Sequence, residues 1–111
     1  MAGGHKPQGF EDFRNALLEA VDDCLLVIGK SAGDALLYHI EKNFGIRRQD
    51  IPEKLEAFHG ALKRLLGEGA TVIDILITKK LYDRLGLNFE GHENWTLVDY
   101  VNYALNAKRG Y

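Results

Sequence analysis

Apolar residues recur every three or four positions along most of this chain, and a glycine closes nearly every run. That period puts the apolar side chains on one face of an α-helix and leaves the other face to water, so the architecture implied is a compact all-α bundle of about five helices. In the first run Phe10, Phe13, Leu17, Val21, Leu25 and Ile28 form the stripe, and Gly29 stops it, because glycine takes the left-handed conformation that ends a helix without steric cost. Ser31 is the expected N-cap of the second helix, with Asp34 in its first turn and Ala32, Leu36, Ile40 and Phe44 as its stripe before Gly45. Asp50 and Glu53 have the spacing of a capping box around Pro52 and open a third stripe of Ile51, Leu55, Phe58, Leu62 and Leu65. Gly67-Glu68-Gly69 then predicts a tight turn joining antiparallel neighbours.

The fourth run is the ambiguous one. Thr71 to Thr78 is rich in β-branched residues and reads locally as a buried strand. Helical spacing through Ile73, Leu76, Ile77, Leu81 and Leu85 outlasts any ordinary strand, Lys79, Lys80 and Arg84 suit a helix C-terminus, and Gly86 closes it. After a polar loop, Thr96 with Asp99 predicts a capped last helix, and Trp95 with Tyr100 has the spacing of a hydrophobic staple. Val98, Val101 and Leu105 are its inward residues. Residues 1–9 read as a disordered N-terminal segment and 10–109 as a single helical domain without repeats or linkers.

Charge and cysteine usage narrow the functional classes. Fourteen Lys and Arg against sixteen Asp and Glu give a net charge of -2, so no global positive field draws in a nucleic-acid backbone. The single cysteine, Cys24, makes neither an internal disulfide nor a thiolate cage for a metal, which fits a reducing cytoplasm. No segment has the apolar length of a membrane span, and the first residues lack the pattern of a signal peptide.

Each short motif has a plainer structural account. Gly29-Lys30-Ser31 matches only the end of a phosphate-binding loop, since Cys24 stands where the first glycine belongs and a helix precedes it. Gly67-Glu68-Gly69 lacks the third glycine of a dinucleotide fingerprint. Glu56 and His59 share a helix face, as in di-iron bundles, but one copy of that motif cannot build such a centre, so a surface or interhelical hydrogen bond is expected. His5, His39 and His92 show no metal-ligand spacing, and no metal or cofactor is expected. No nucleophile has a base and an orienting acid in a local pattern.

Three groups remain as candidate sites. Tyr38, His39 and His59 would border a pocket between helices. Trp95, Tyr100, Tyr103 and Tyr111 concentrate aromatic surface near the end of the chain, as interfaces do. Arg47, Arg48, Lys79 and Lys80 would form a basic patch if the fold brought them together, although cations near helix ends are ordinary.

Ala35-Leu36-Leu37-Tyr38-His39-Ile40-Glu41, followed by Asp50-Ile51-Pro52, Phe58, Leu62 and Leu66-Gly67-Glu68-Gly69-Ala70, resembles an archaeal family, the Nitrosopumilus output domain, type five. The resemblance covers the middle of the chain and rests on structural motifs. It implies a small helical domain acting as an output or adaptor unit in signalling, and it brings no catalytic residues.

The function expected from these readings is a non-catalytic protein-interaction module that self-associates. The alternative is a small-molecule-binding bundle or minor enzyme with a pocket near Tyr38, His39 and His59, and nucleic-acid binding through the basic pairs ranks third.

Overall fold

A computed structural model describes the backbone of residues 10–109 and the side chains of residues 12–108. The expected disorder of residues 1–9, and His5 and Tyr111, therefore lie outside the described residues. The described chain is all-α: helix α1 spans Phe10–Ile28, α2 Lys30–Phe44, α3 Leu55–Leu66, α4 Gly69–Leu85 and α5 Leu97–Arg109, with a 3-10 segment at Arg48–Lys54. No strand occurs among the described residues.

Helix α4 is the centre of the bundle. Ala70, Ile73, Asp74, Ile77, Thr78, Leu81 and Tyr82 are its buried residues, one unbroken helical face that meets α1, α3 and α5. The β-branched run is thus helical, because burial along a 3.6-residue period outweighs the local preference of Val and Ile for strands. Two of those seven positions are polar. Thr78 satisfies its hydroxyl by donating to the Asp74 carbonyl at 2.8 Å, the usual way a threonine is buried within a helix.

Several local expectations need correction. Ser31 does not cap α2: Gly29, at φ 115°, occupies the cap position without a side-chain hydrogen bond, and its amide donates back to Leu25 and Leu26 of α1. Two helices share that single residue, which leaves no room for a serine cap. Three of the four stripe residues of α2 face the core as read: Ile40 is fully buried, and Leu36 and Phe44 pack against it. Ala32 is exposed, and Gly33 and Ile40 are the buried residues. A Cβ on Gly33 would stand 2.9 Å from Leu25 Cβ and 3.1 Å from the Leu25 carbonyl oxygen, so glycine sets how closely α1 and α2 approach.

Asp50 and Glu53 do not form a capping box either, since both lie inside the 3-10 segment that precedes α3. Asp50 pairs with Arg47 at 3.5 Å, and Glu53 receives Arg14 of α1 at 2.6 Å. Ile51, fully buried, anchors this segment on the core. The Asp99 half of the capping box expected at α5 is present. The Thr96 amide donates to the Asp99 carboxylate at 2.9 Å, and the Trp95 and Tyr100 rings meet edge to face with centroids 5.0 Å apart.

Candidate functional site

The sequence-derived pocket trio does not assemble. His39 on α2 lines a groove with Ile28, Leu36, Leu65, Leu66 and Ile73, whereas His59 on α3 lines a separate depression with Glu56, Thr96, Val98 and Asp99. Tyr38 lines neither; it is exposed, with its ring edge on His39 at 5.4 Å.

His59 has an interhelical partner that sequence spacing did not reveal. Its Nδ1 lies 3.1 Å from the carboxylate of Asp74 on α4, and the same carboxylate accepts the Leu97 amide at the start of α5 at 3.3 Å. A carboxylate on Nδ1 is how a catalytic histidine is oriented. Among the described residues the hydrogen-bond partner of His59 is Asp74 alone, and no nucleophile is bonded to the dyad. Its evident work is architectural: it joins three helices and satisfies one of the orphan amides at a helix N-terminus. Burial raises the Asp74 carboxyl above its ordinary value, opposed by His59 and by the Leu97 amide.

The residues of the basic patch each have their own neighbours. Arg48 reaches Asp22 of α1 through two hydrogen bonds of 2.6 and 2.8 Å, and Arg47 takes Asp50. Lys79 lies 5.3 Å from the centroid of the Phe89 ring, and Lys80 bears on Cys24 of α1. Arg48, Arg47 and Lys79 thus have three different partners, of which Asp22 joins the 3-10 segment to α1.

Among the interface aromatics, Tyr100 is 1% exposed and belongs to the core. Its hydroxyl accepts the His92 amide at 2.8 Å, and its carbonyl receives the Tyr82 hydroxyl at 2.8 Å. Trp95 is half-buried with His92 stacked on it, while Tyr103 is 52% exposed. Tyr82, Trp95 and Tyr103 wall a cavity of about 270 Å³ that Asn88, Glu90 and His92 complete.

Two further concavities among the described residues are largely apolar. The larger, about 620 Å³, lies between α1, the start of α3 and α5; Phe13, Leu17 and Val101 line it, and the Arg14–Glu53 ion pair joins two of its walls. The other, about 420 Å³, is the His39 groove between α2 and the corner of α3 and α4, where all lining residues except His39 are apolar. Leu66 is 38% exposed there, and Val72, beside the groove residue Ile73 in the chain, is 65% exposed.

Comparison with protein-family models, with curated proteins and with solved structures returns no match. Among the described residues no group of three metal-ligating side chains occurs, and no helix is long and apolar enough to cross a membrane.

Proposed function

We propose that this chain is a non-catalytic interaction module that pairs with a second copy of itself through α2. The observation that carries the reading is the apolar groove between α2 and the α3–α4 corner, rimmed by exposed Leu65 and Leu66. Contiguous apolar surface of this kind is characteristic of sites that another surface covers. The α2 wall presents Ala32, Ala35, Leu36 and His39, the i, i+3, i+4, i+7 spacing by which one helix seats in the groove of another. Two of the four are alanines, which permit close approach of helix axes. A two-fold axis that lays α2 of each copy on the groove of the other buries both stripes together, as a self-complementary interface requires.

With Tyr100 internal, the aromatic C-terminal segment presents less exposed ring surface than its sequence suggests, and α2 is the proposed interaction face. A cytoplasmic role as a signalling output or adaptor unit, drawn from the single cysteine and from the likeness to archaeal output domains, accords with a small helical module that works by pairing.

Sedimentation equilibrium over micromolar to millimolar concentrations tests the reading. A reversible dimer is expected, and Ala32→Glu or Ala35→Glu, both at exposed positions, should give a monomer with an unchanged helical circular-dichroism spectrum. A wild-type chain that stays monomeric throughout, or a dimer indifferent to both substitutions, overturns it.

A further inference from the structure

The loop between α4 and α5 gathers aromatic rings around one small cavity. Tyr82 comes from α4, Tyr103 from α5 and Trp95 from the end of the loop; the Tyr103 centroid lies 6.4 Å from that of Tyr82 and 5.9 Å from that of Trp95. Asn88, Glu90 and His92 complete the wall of this 270 Å³ space. Glu90, an exposed residue of that wall, has no ion pair among the described residues.

Tyr82, His92 and Trp95 are held in place before anything binds. The Tyr82 hydroxyl is held by the Tyr100 carbonyl, the Tyr100 hydroxyl holds the His92 backbone, and the His92 ring stacks on Trp95 at 3.9 Å with 19° between planes. Rings ordered in advance lose little freedom on binding. Aromatic faces carry negative potential, and a carboxylate at the same cavity adds to it, so the complementary guest is a cation with an apolar skin. The chain supplies its own precedent, because the Lys79 ammonium already sits 5.3 Å from the centroid of Phe89, whose ring packs on Tyr82 and Tyr100.

We propose that the pocket walled by Tyr82, Trp95 and Tyr103 and edged by Glu90 binds a quaternary ammonium group. Methylation favours this site over a bare ammonium, which would have to give up strongly held water for rings that offer few hydrogen-bond acceptors. A free organic cation and a trimethylated lysine side chain present the same chemistry.

Trp95 is the chain's only tryptophan, so its fluorescence reports on the pocket directly. Choline titrated against the full-length chain at constant ionic strength should give a saturable change. The carbon isostere of choline, with the same shape and no charge, should bind about two- to thirtyfold more weakly, the range that a cation–π contact spans. Tyr103→Ala should abolish the response with the helical spectrum intact, and Glu90→Gln, at an exposed position, should weaken it even if the tyrosine variant folds poorly. A trimethyllysine peptide that binds more tightly than choline assigns the site to a modified protein tail; the reverse order assigns it to a free cation. Equal binding of choline and its isostere, a response that never saturates, or binding unaffected by Glu90→Gln and Tyr103→Ala overturns the proposal.

Discussion

Alanine substituted at two helical glycines should have opposite effects, and the contrast isolates the cost of forcing α1 and α2 apart. Gly60 lies within α3, and a Cβ added there would meet nothing within 4 Å, so Gly60→Ala gains only the helix propensity of alanine. That gain is about 0.8–1 kcal/mol. Gly33→Ala receives the same gain but places its Cβ 2.9 Å from Leu25 Cβ and 3.1 Å from the Leu25 carbonyl oxygen. Neither atom is the far end of a flexible side chain, so relief requires helix displacement. Overpacking of this kind costs about 1–3 kcal/mol, so the net effect is a destabilisation of up to about 2 kcal/mol. The two variants should then differ by about 1–3 kcal/mol, the overpacking cost alone, because the propensity gain cancels between them. At about 4–8 °C per kcal/mol for a domain of this size, thermal melts by circular dichroism resolve even the lower bound. A Gly33→Ala chain that melts at or above the temperature of Gly60→Ala would refute the close-contact reasoning.

Asp74→Ala should destabilise the chain by about 1–3 kcal/mol, because it leaves the buried Leu97 amide unpaired. Asp74→Asn retains an acceptor and tests the ionisation separately. The folded-state value of Asp74 lies above its ordinary 3.8, so the stability it contributes is complete below the unfolded value and is lost as pH rises through the folded one. Denaturant titrations at several pH values should show that decline in the wild type and its absence in the asparagine variant; parallel pH profiles would contradict it. Cys24 is fully buried, and burial pushes its thiol up to about 11 against a smaller opposing influence of Lys80. Iodoacetamide at mildly alkaline pH should therefore leave it unmodified until denaturant is added, and rapid labelling of the native chain, read by mass spectrometry, would show that the site is open.

How much of this was legible in the residues depends on what each residue contributes to a hydropathy pattern. The five helices were, including α4, because Ile73, Ile77 and Leu81 hold their spacing over more turns than a strand allows. The Asp99 half of the α5 capping box was too, since Thr96 and Asp99 carry their own chemistry at a fixed offset. The close approach of α2 to α1 was not. Its tightest contact is made by Gly33, which has no side chain to register in any stripe, and the residue read as inward, Ala32, faces solvent. Asp74 was equally hidden, because a carboxylate inside an apolar run looks like a solvent-facing position until α3 and α5 bring His59 and Leu97 to it. The aromatic pocket was visible only as a cluster of rings in sequence. Which of them became core, as Tyr100 did, and which became wall, as Tyr103 did, was decided by how α4 and α5 pack.

The carboxylate of Asp74 also bears on how the molecule comes apart. Since it holds a side chain of α3 and the first amide of α5 at once, the last helix cannot peel away and leave the α3–α4 hairpin undisturbed. Local fraying at the C-terminal end should stop short of the buried Tyr100, Val101 and Ala104, and exchange of the Leu97 amide with solvent should wait for the opening of the bundle as a whole.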